Sequence, residues 1–407
     1  VESEAVEVPE RQPLSPTVKA LGVVSLFADV SSEMVYPLNP LFLTRVLGAP
    51  PWALGLIEGI AESTASILKL YSGWLSDRIG KRKPFAVAGY AFGAIGKPLI
   101  AVATAWWHVL FARFIDRLGK GLRTAPRDAL VAENCPENQR GQAYGLHRAM
   151  DTTGAVLGPL IGYWLLTQVL HGSERHKFAG LYWIAFVPGV LAAVILAMAV
   201  HEARQTVPDA TRKALPSLRG LGSGMRSYLL IVAIFSLGNS SDTFLILRAQ
   251  QDMGVHPSQV LLLYALFNVV EASLGYPAGL LSDRAGRRPL VVVGWGVFAL
   301  VYLGFATLRG TLAAVALFVL YGFYYTLTQG VQRALAADLS HPDRRATEIG
   351  AFHMVVGLAA LPASQLAGVL YGLDHRLPFI VGACTAAVAA IMMLAVRLDT
   401  PKTVTVD

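Results

Sequence analysis

Charge is what this sequence has least of. Of 407 residues only 15% are Asp, Glu, Lys or Arg, while 54% are hydrophobic and the mean hydropathy is +0.50. A water-soluble chain of this length carries about 25% charged residues, so an ordinary set of soluble domains is excluded. Cysteine is scarce too: Cys135 and Cys384 offer neither a disulfide framework nor a zinc-ligand spacing. No basic patch is interleaved with aromatic residues, so the net charge of +7 gives no reason to expect nucleic acid as a partner. There is no nucleotide loop of the form G-x-x-x-x-G-K-[ST], because Gly93-Ala94-Ile95-Gly96-Lys97-Pro98 has the wrong spacing. H-E-x-x-H and G-x-S-x-G are missing as well. The expectation is a protein that is not an enzyme and holds no cofactor and no resident metal.

What the chain does have is apolar length. Runs of about 18 or more apolar residues recur along nearly all of it, each long enough to cross a hydrocarbon core about 30 Å thick. Stretches such as 289–306 and 379–396 stay apolar throughout, unlike the alternating strands of a membrane β-barrel. The predicted fold is therefore all-α and polytopic. Twelve transmembrane helices are placed at 16–47, 51–76, 84–104, 106–133, 141–169, 177–200, 226–248, 256–282, 289–307, 310–335, 345–370 and 376–397. The polar stretch 201–225, with Pro208 and Pro216, reads as a cytoplasmic linker between two six-helix halves, 16–200 and 226–397. Residues 1–15 are acidic and lack the apolar core of a signal peptide, so they read as a disordered cytoplasmic tail, as 398–407 reads as a second tail.

The halves look like copies. Gly73, Leu75, Ser76, Asp77, Arg78, Gly80, Lys81, Arg82 and Pro84 recur as Gly279, Leu281, Ser282, Asp283, Arg284, Gly286, Arg287, Arg288 and Pro289. The same offset of about 206 residues sets Ser31-Ser32-Glu33 beside Ser240-Ser241-Asp242 and His147 beside His353. Parallel six-helix repeats build one large class of transporter, with the substrate site at the membrane midplane between them. Lys and Arg concentrate after the second helix, in the linker and after the eighth, so the positive-inside rule places both termini in the cytoplasm.

The sequence GWLSDRIGKRKP between the second and third helices resembles the signature loop of the major facilitator superfamily, G-x-L-a-D-R-x-G-r-[KR]. The duplicated pattern covers nearly the whole chain. The resemblance implies a secondary transporter working by alternating access, a multi-pass protein of the inner (cytoplasmic) membrane that acts as a monomer on a small-molecule substrate. It also implies a gate: Gly73, Asp77, Arg78, Gly80 and Arg82, with Asp283 and Arg284 in the second loop. Asp77 would cap a helix N-terminus of the other half, and Arg78 and Arg82 would pair with acids.

The fourth helix, LFARFIDRLGKGLR, resembles the family's R-x-x-x-G pattern only loosely, with Arg113 and Gly119 or Gly121 near the matching places. Its own charges say more. Arg113, Asp116, Arg117, Lys120, Arg123 and Arg127 recur at helical spacing, and each charge inside a membrane costs at least about 2.5 to 3.5 kcal/mol. Arg113, Arg117 and Lys120 are taken as cavity and substrate-binding residues, Arg123 and Arg127 as cations snorkelling to a membrane surface. Counter-charges stand at Asp29 and Glu33 in the first helix, Glu58 and Glu62 in the second, and His147, Arg148 and Asp151 in the fifth. A carboxyl group taken out of water without a partner favours its neutral form, which suits proton coupling. Asp29, Glu33 and Asp116 are the candidates, with a static salt bridge as the competing role.

In the fifth helix Gly145, Gly154, Gly158, Pro159 and Gly162 resemble the antiporter motif of the superfamily, except that Tyr163 replaces its last Gly. Ordinary close packing of helices would use the same small residues. In the second half Asn239, Asp242, Tyr325 and Gln329 are candidates for substrate contact, with Asn268, Glu271, Tyr321 and Tyr324 nearby. The expected function is proton-coupled efflux of a small organic anion or amphiphile, with proton-coupled uptake, divalent-metal efflux through Asp29, Glu33, Asn239 and Asp242, and a non-transporting membrane sensor as alternatives.

Overall fold

A computed structural model describes residues 14–136, 139–200, 202, 221–341 and 345–398. Most of the expected linker and nearly all of the two tails lie outside these residues. Twelve helical passes form, and no strand occurs among the described residues. The first helix, α1 (Pro16–Glu33), starts where Pro16 can occupy the first turn without loss of a hydrogen bond and the Ser15 hydroxyl can accept from the Val18 N–H. That hydroxyl also donates to the Asn134 carbonyl at 2.8 Å, tying the start of α1 to the end of the fourth helix.

The expected helix 16–47 does not run through. After Glu33 the chain passes through a 3-10 turn (Tyr36–Leu38), a short α turn (Asn39–Leu41) and a π turn (Phe42–Val46). Pro37 and Pro40 account for this, since each lacks the N–H that would continue the ladder. The next five helices are α2 (Pro51–Ile79), α3 (Lys83–Ala101), α4 (Trp106–Glu133), α5 (Arg140–Trp164) and α6 (Glu174–Ala199). The seventh pass is also broken, into α7a (Ser223–Gly238) and α7b (Thr243–Asp252), at the polar run 239–242 where the expected helix 226–248 was continuous. Then follow α8 (Gln259–Ala285), α9 (Arg287–Thr307), α10 (Thr311–Leu339), α11 (Arg345–Leu373) and α12 (Leu377–Ala395).

Seven passes are long and apolar enough to cross a bilayer by composition alone, eight if α8, bent by 48° between Gly275 and Pro277, is counted. Those that fall short are α1, α2, α4 and α5. They carry most of the charges of the first group of helices, and α1, α4 and α5 line the cavities described below.

The two groups of six helices meet differently at their two ends. At one end α2 lies backbone to backbone on α11: a Cβ at Gly59 would stand 2.8 Å from the Leu361 Cα, and one at Gly368 2.9 Å from the Trp52 Cα. The Ser63 hydroxyl donates to the Gly357 carbonyl at 2.8 Å, continuing the seam inward. At the other end, beside the two DR loops, nothing comes within 4 Å of a Cβ built at Gly141, Gly145, Gly275 or Gly279. Among the described residues the two groups are thus in backbone contact at the first end, while these positions at the second end face open space.

Candidate functional site

The cations of α4 meet carboxylates of α2 in register. Glu58 and Glu62 are one helical turn apart, as are Arg113 and Arg117, so two parallel helices form two rungs. Arg113 Nη2 donates to both Glu58 oxygens at 2.9 and 2.7 Å, with the two side chains 5% and 1% exposed. Arg117 reaches Glu62 at 3.3 Å. Asp116 faces Arg113 at 3.5 Å, Arg117 at 3.8 Å and Lys97 of α3 at 4.0 Å, and Lys97 also donates to the Gly93 carbonyl at 2.8 Å. Arg113 and Arg117 are therefore neutralised, whereas Lys120 and Arg123 are in no salt bridge among the described residues. Asp116, a candidate proton carrier in the sequence, sits among three cations.

Arg123 does not snorkel. Its guanidinium lies 4.4 Å from the centre of the Tyr90 ring and lines a cavity of about 60 Å³ together with Asp29, Lys97 and Asp116. Glycines make room for it: a Cβ at Gly89 would stand 2.6 Å from the Arg123 Cβ. Arg127, the other expected surface cation, is held by Asp128 at 2.7 Å.

Asp29 and Glu33 are arranged differently from the other acids. Among the described residues neither is in a salt bridge, and Glu33 Oε2 is buried without a hydrogen-bond partner. Both face the smaller cavity and a larger one of about 240 Å³, and Lys120 lines both spaces with them. The larger cavity lies between the two groups of helices. Arg148 and Asp151 line it from α5, and Asp242, Tyr264, Phe267, Glu271, Tyr325 and Gln329 from the second group. Arg148 spans the gap to Glu271 at 2.8 Å, and Asn268 donates across it to the Ala155 carbonyl at 2.8 Å. Asp242 accepts from the Tyr321 hydroxyl at 2.6 Å. Asn239 is not among the lining residues: it donates to the Tyr324 hydroxyl at 3.3 Å and belongs to the packing of α7 on α10. Glu33 ends α1 and Asp242 opens α7b, so each broken pass presents a carboxyl group at its break to the same space.

The two DR loops fold alike. Asp77 pairs with Arg82 at 3.0 Å, and Arg82 also bonds Glu133 at the end of α4. Asp283 and Asp338, at the end of α10, share Arg287 at 4.0 and 2.5 Å. The structural counterpart of Arg82 is thus Arg287, not the Arg288 to which the repeat assigns it, because the second loop is one residue shorter. Arg288 instead donates to the carbonyls of Met393, Leu394 and Val396 at the end of α12. The Glu202 carboxylate makes the matching tie after α6, accepting from the N–H groups of Arg82 and Lys83. Gly80 and Gly286 have φ of +68° and +89°, a region that disfavours any other residue. A Cβ at Gly73 would meet the Ala125 Cβ at 3.1 Å, Arg78 lies 5.3 Å from the Trp74 ring, and Arg284 is exposed. Asp77 was expected to cap a helix N-terminus of the other half; of these ends, the first side chains of α11, at 345–347, lie outside the described residues.

In α5 the glycine stripe packs on α1. A Cβ at Gly154 would stand 2.6 Å from the Leu26 carbonyl oxygen, at Gly158 2.9 Å from the Val30 oxygen, and at Gly162 2.9 Å from the Met34 oxygen. Pro159 is buried within the same helix, while Gly145 faces open space.

The Major Facilitator Superfamily family model matches residues 21–364 and 228–406. The chain belongs to the major facilitator superfamily. An MFS-type transporter of Methanocaldococcus jannaschii is 35% identical over 386 residues, covering 94% of this chain and 95% of that one. The multidrug resistance protein MdtH of Photorhabdus laumondii is 25% identical over 353 residues, 84% of each chain. In fold, the chain resembles the crystal structure of a bacterial homologue of the human lysosomal transporter Spinster, with a TM-score of 0.72, 15% identity and coverage of 94% and 96%. This major facilitator protein is therefore a multi-pass membrane transporter of small molecules and not an enzyme.

Several residues of this transporter's cavity escaped the sequence. Lys97 was set aside as part of a mis-spaced nucleotide loop, although a lysine inside an apolar helix is itself a signal. Tyr36, whose ring lies 5.6 Å from the Arg113 guanidinium, Tyr264 and Phe267 carry no such mark, since aromatic residues in membrane helices serve packing equally well.

Proposed function

We propose that this transporter exports a small amphiphilic organic compound in exchange for protons, with Asp29 and Glu33 as the proton site. The observation that carries it is the contrast among the acids: Glu58, Glu62, Asp116 and Glu271 are in salt bridges, while Asp29 and Glu33 face the cavity with none among the described residues. Carboxyl groups so placed can take up and release a proton as the cavity changes its access. Export is favoured by the glycine stripe of α5 and by the likeness to proteins named for multidrug resistance. With the charged loops assigned to the cytoplasm by the positive-inside rule, the open end faces the cytoplasm and is poised to load cargo there. The anionic half of the substrate expectation loses its support, because Arg113 and Arg117 are already committed to carboxylates. Metal export is not carried forward, since no three metal-ligating side chains converge among the described residues.

The test is luminal pH in proteoliposomes on addition of aromatic amines, carboxylates, phosphorylated metabolites and divalent metals. Proton movement with one organic class is expected. Movement with metals alone, or organic transport that ignores an imposed pH gradient, would overturn it.

A further inference from the structure

The wall that the second group of helices gives to the cavity is built of rings around a carboxylate. Phe267 stands 5.1 Å from Tyr325 with the rings at 89°, 5.5 Å from Tyr264 and 5.5 Å from Tyr321. Tyr321 directs its hydroxyl to one oxygen of Asp242, which leaves the other for a ligand. Tyr264, Phe267, Tyr325 and Asp242 all line the 240 Å³ space. Two perpendicular aromatic faces beside a carboxylate attract an organic cation, through the ring quadrupoles and through charge. Among the described residues this protein uses the same chemistry three times within itself, at Arg78 on Trp74, Arg113 on Tyr36 and Arg123 on Tyr90.

The charge balance of the cavity points the same way. Arg148 is engaged by Glu271, so Lys120 is the lining cation that faces Asp29, Glu33 and Asp242 without a salt bridge of its own among the described residues. Arg117 and Arg123 stand near Asp29 and Glu33 in the smaller space, but within the larger one the acids outnumber their cation. They are also divided between two walls, Asp29 and Glu33 on the first group of helices and Asp242 on the second.

We propose that the cavity takes aromatic organic cations, the cationic head held by Asp242 between Tyr325, Phe267 and Tyr264. This rests on the transporter function proposed above and names its substrate class. Binding the head on the second wall leaves Asp29 and Glu33, on the first, free to carry protons. Cargo and proton then meet in one chamber without competing for one carboxylate.

The experiment is calorimetric titration of the purified protein in nanodiscs with benzyltrimethylammonium and with benzylsulfonate, which share an aromatic ring and differ in the sign of the charge. The cation is expected to bind at least about ten-fold more tightly, a difference of about 1.4 kcal/mol. Asp242→Asn and Tyr325→Leu should each weaken it by about ten-fold, and Tyr325→Phe should not. Equal or tighter binding of the sulfonate to the unaltered protein overturns the proposal without any variant. So does unchanged affinity in Asp242→Asn, or the absence of cation binding by folded protein. Proton coupling is read separately from vesicle pH: a cation that binds and is carried without proton movement keeps this site and removes the coupling, whereas proton movement with sulfonates alone removes the site and keeps the coupling.

Discussion

At the scale of single residues, the dominant fact is that charge in this membrane protein comes in matched sets. Each charge in the bilayer is costly, and Glu58 with Arg113 is nearly sealed from solvent at both ends of the pair. Removing one member leaves the other buried and alone, so Glu58→Gln should destabilise the protein by about 3 to 5 kcal/mol. Replacing both, as Glu58→Leu with Arg113→Met, should cost less than the single change. Thermal unfolding in detergent measures the difference, and a melting point unmoved by Glu58→Gln would remove the pair from the structural core. The charges of α4 were legible in the sequence because ionisable residues in an apolar run demand a reason. Their partners were half legible: the i, i+4 spacing of Glu58 and Glu62 matched the stripe, but the third partner of Asp116, Lys97, hid in a run that looked like something else.

At the scale of elements, apolar runs placed all twelve passes, and only their interiors were misjudged. Apolar residues flank the breaks in the first and seventh passes on both sides, so a long window of hydropathy averages over them. Backbone chemistry can, through Pro37 and Pro40 in one case and Gly238-Asn239-Ser240-Ser241 in the other. Glycine divides similarly into two kinds along α5. A Cβ at Gly158 meets backbone atoms of α1 at 2.9 Å, which cannot rotate away, so Gly158→Ala should destabilise by roughly 1 to 3 kcal/mol. Gly145→Ala meets nothing within 4 Å and should fall within about 0.5 kcal/mol of the unaltered protein. Equal melting points for the two variants would contradict the close seating of α5 on α1. The motif in the sequence marked these glycines as a group, and only the packing separates the one that faces open space from those that hold α1.

At the scale of the whole molecule, the repeat of two six-helix groups was written in the DR loops, whereas which end stands open was not, because one sequence must serve every conformation of the cycle. The seam of α2 on α11 is the feature that has to part if access alternates. With Cys135 and Cys384 replaced by Ser, a cysteine pair set across the α2–α11 seam at non-glycine positions, where no added Cβ meets backbone, should form a disulfide under oxidation that stops flux, keeps ligand binding and is reversed by dithiothreitol. Undiminished flux through confirmed cross-linked protein would contradict a rocking mechanism. In the function proposed here, the acids that turn such motion into pumping are Asp29 and Glu33 on α1, which have no salt bridge among the described residues. The most direct measurement compares luminal pH in proteoliposomes holding the unaltered protein, Asp29→Asn or Glu33→Gln while a transported amphiphile is added under an imposed pH gradient. The predicted result is substrate-evoked proton movement that is lost in at least one of the two variants while substrate exchange across the membrane persists. Proton movement undiminished in both variants would contradict it.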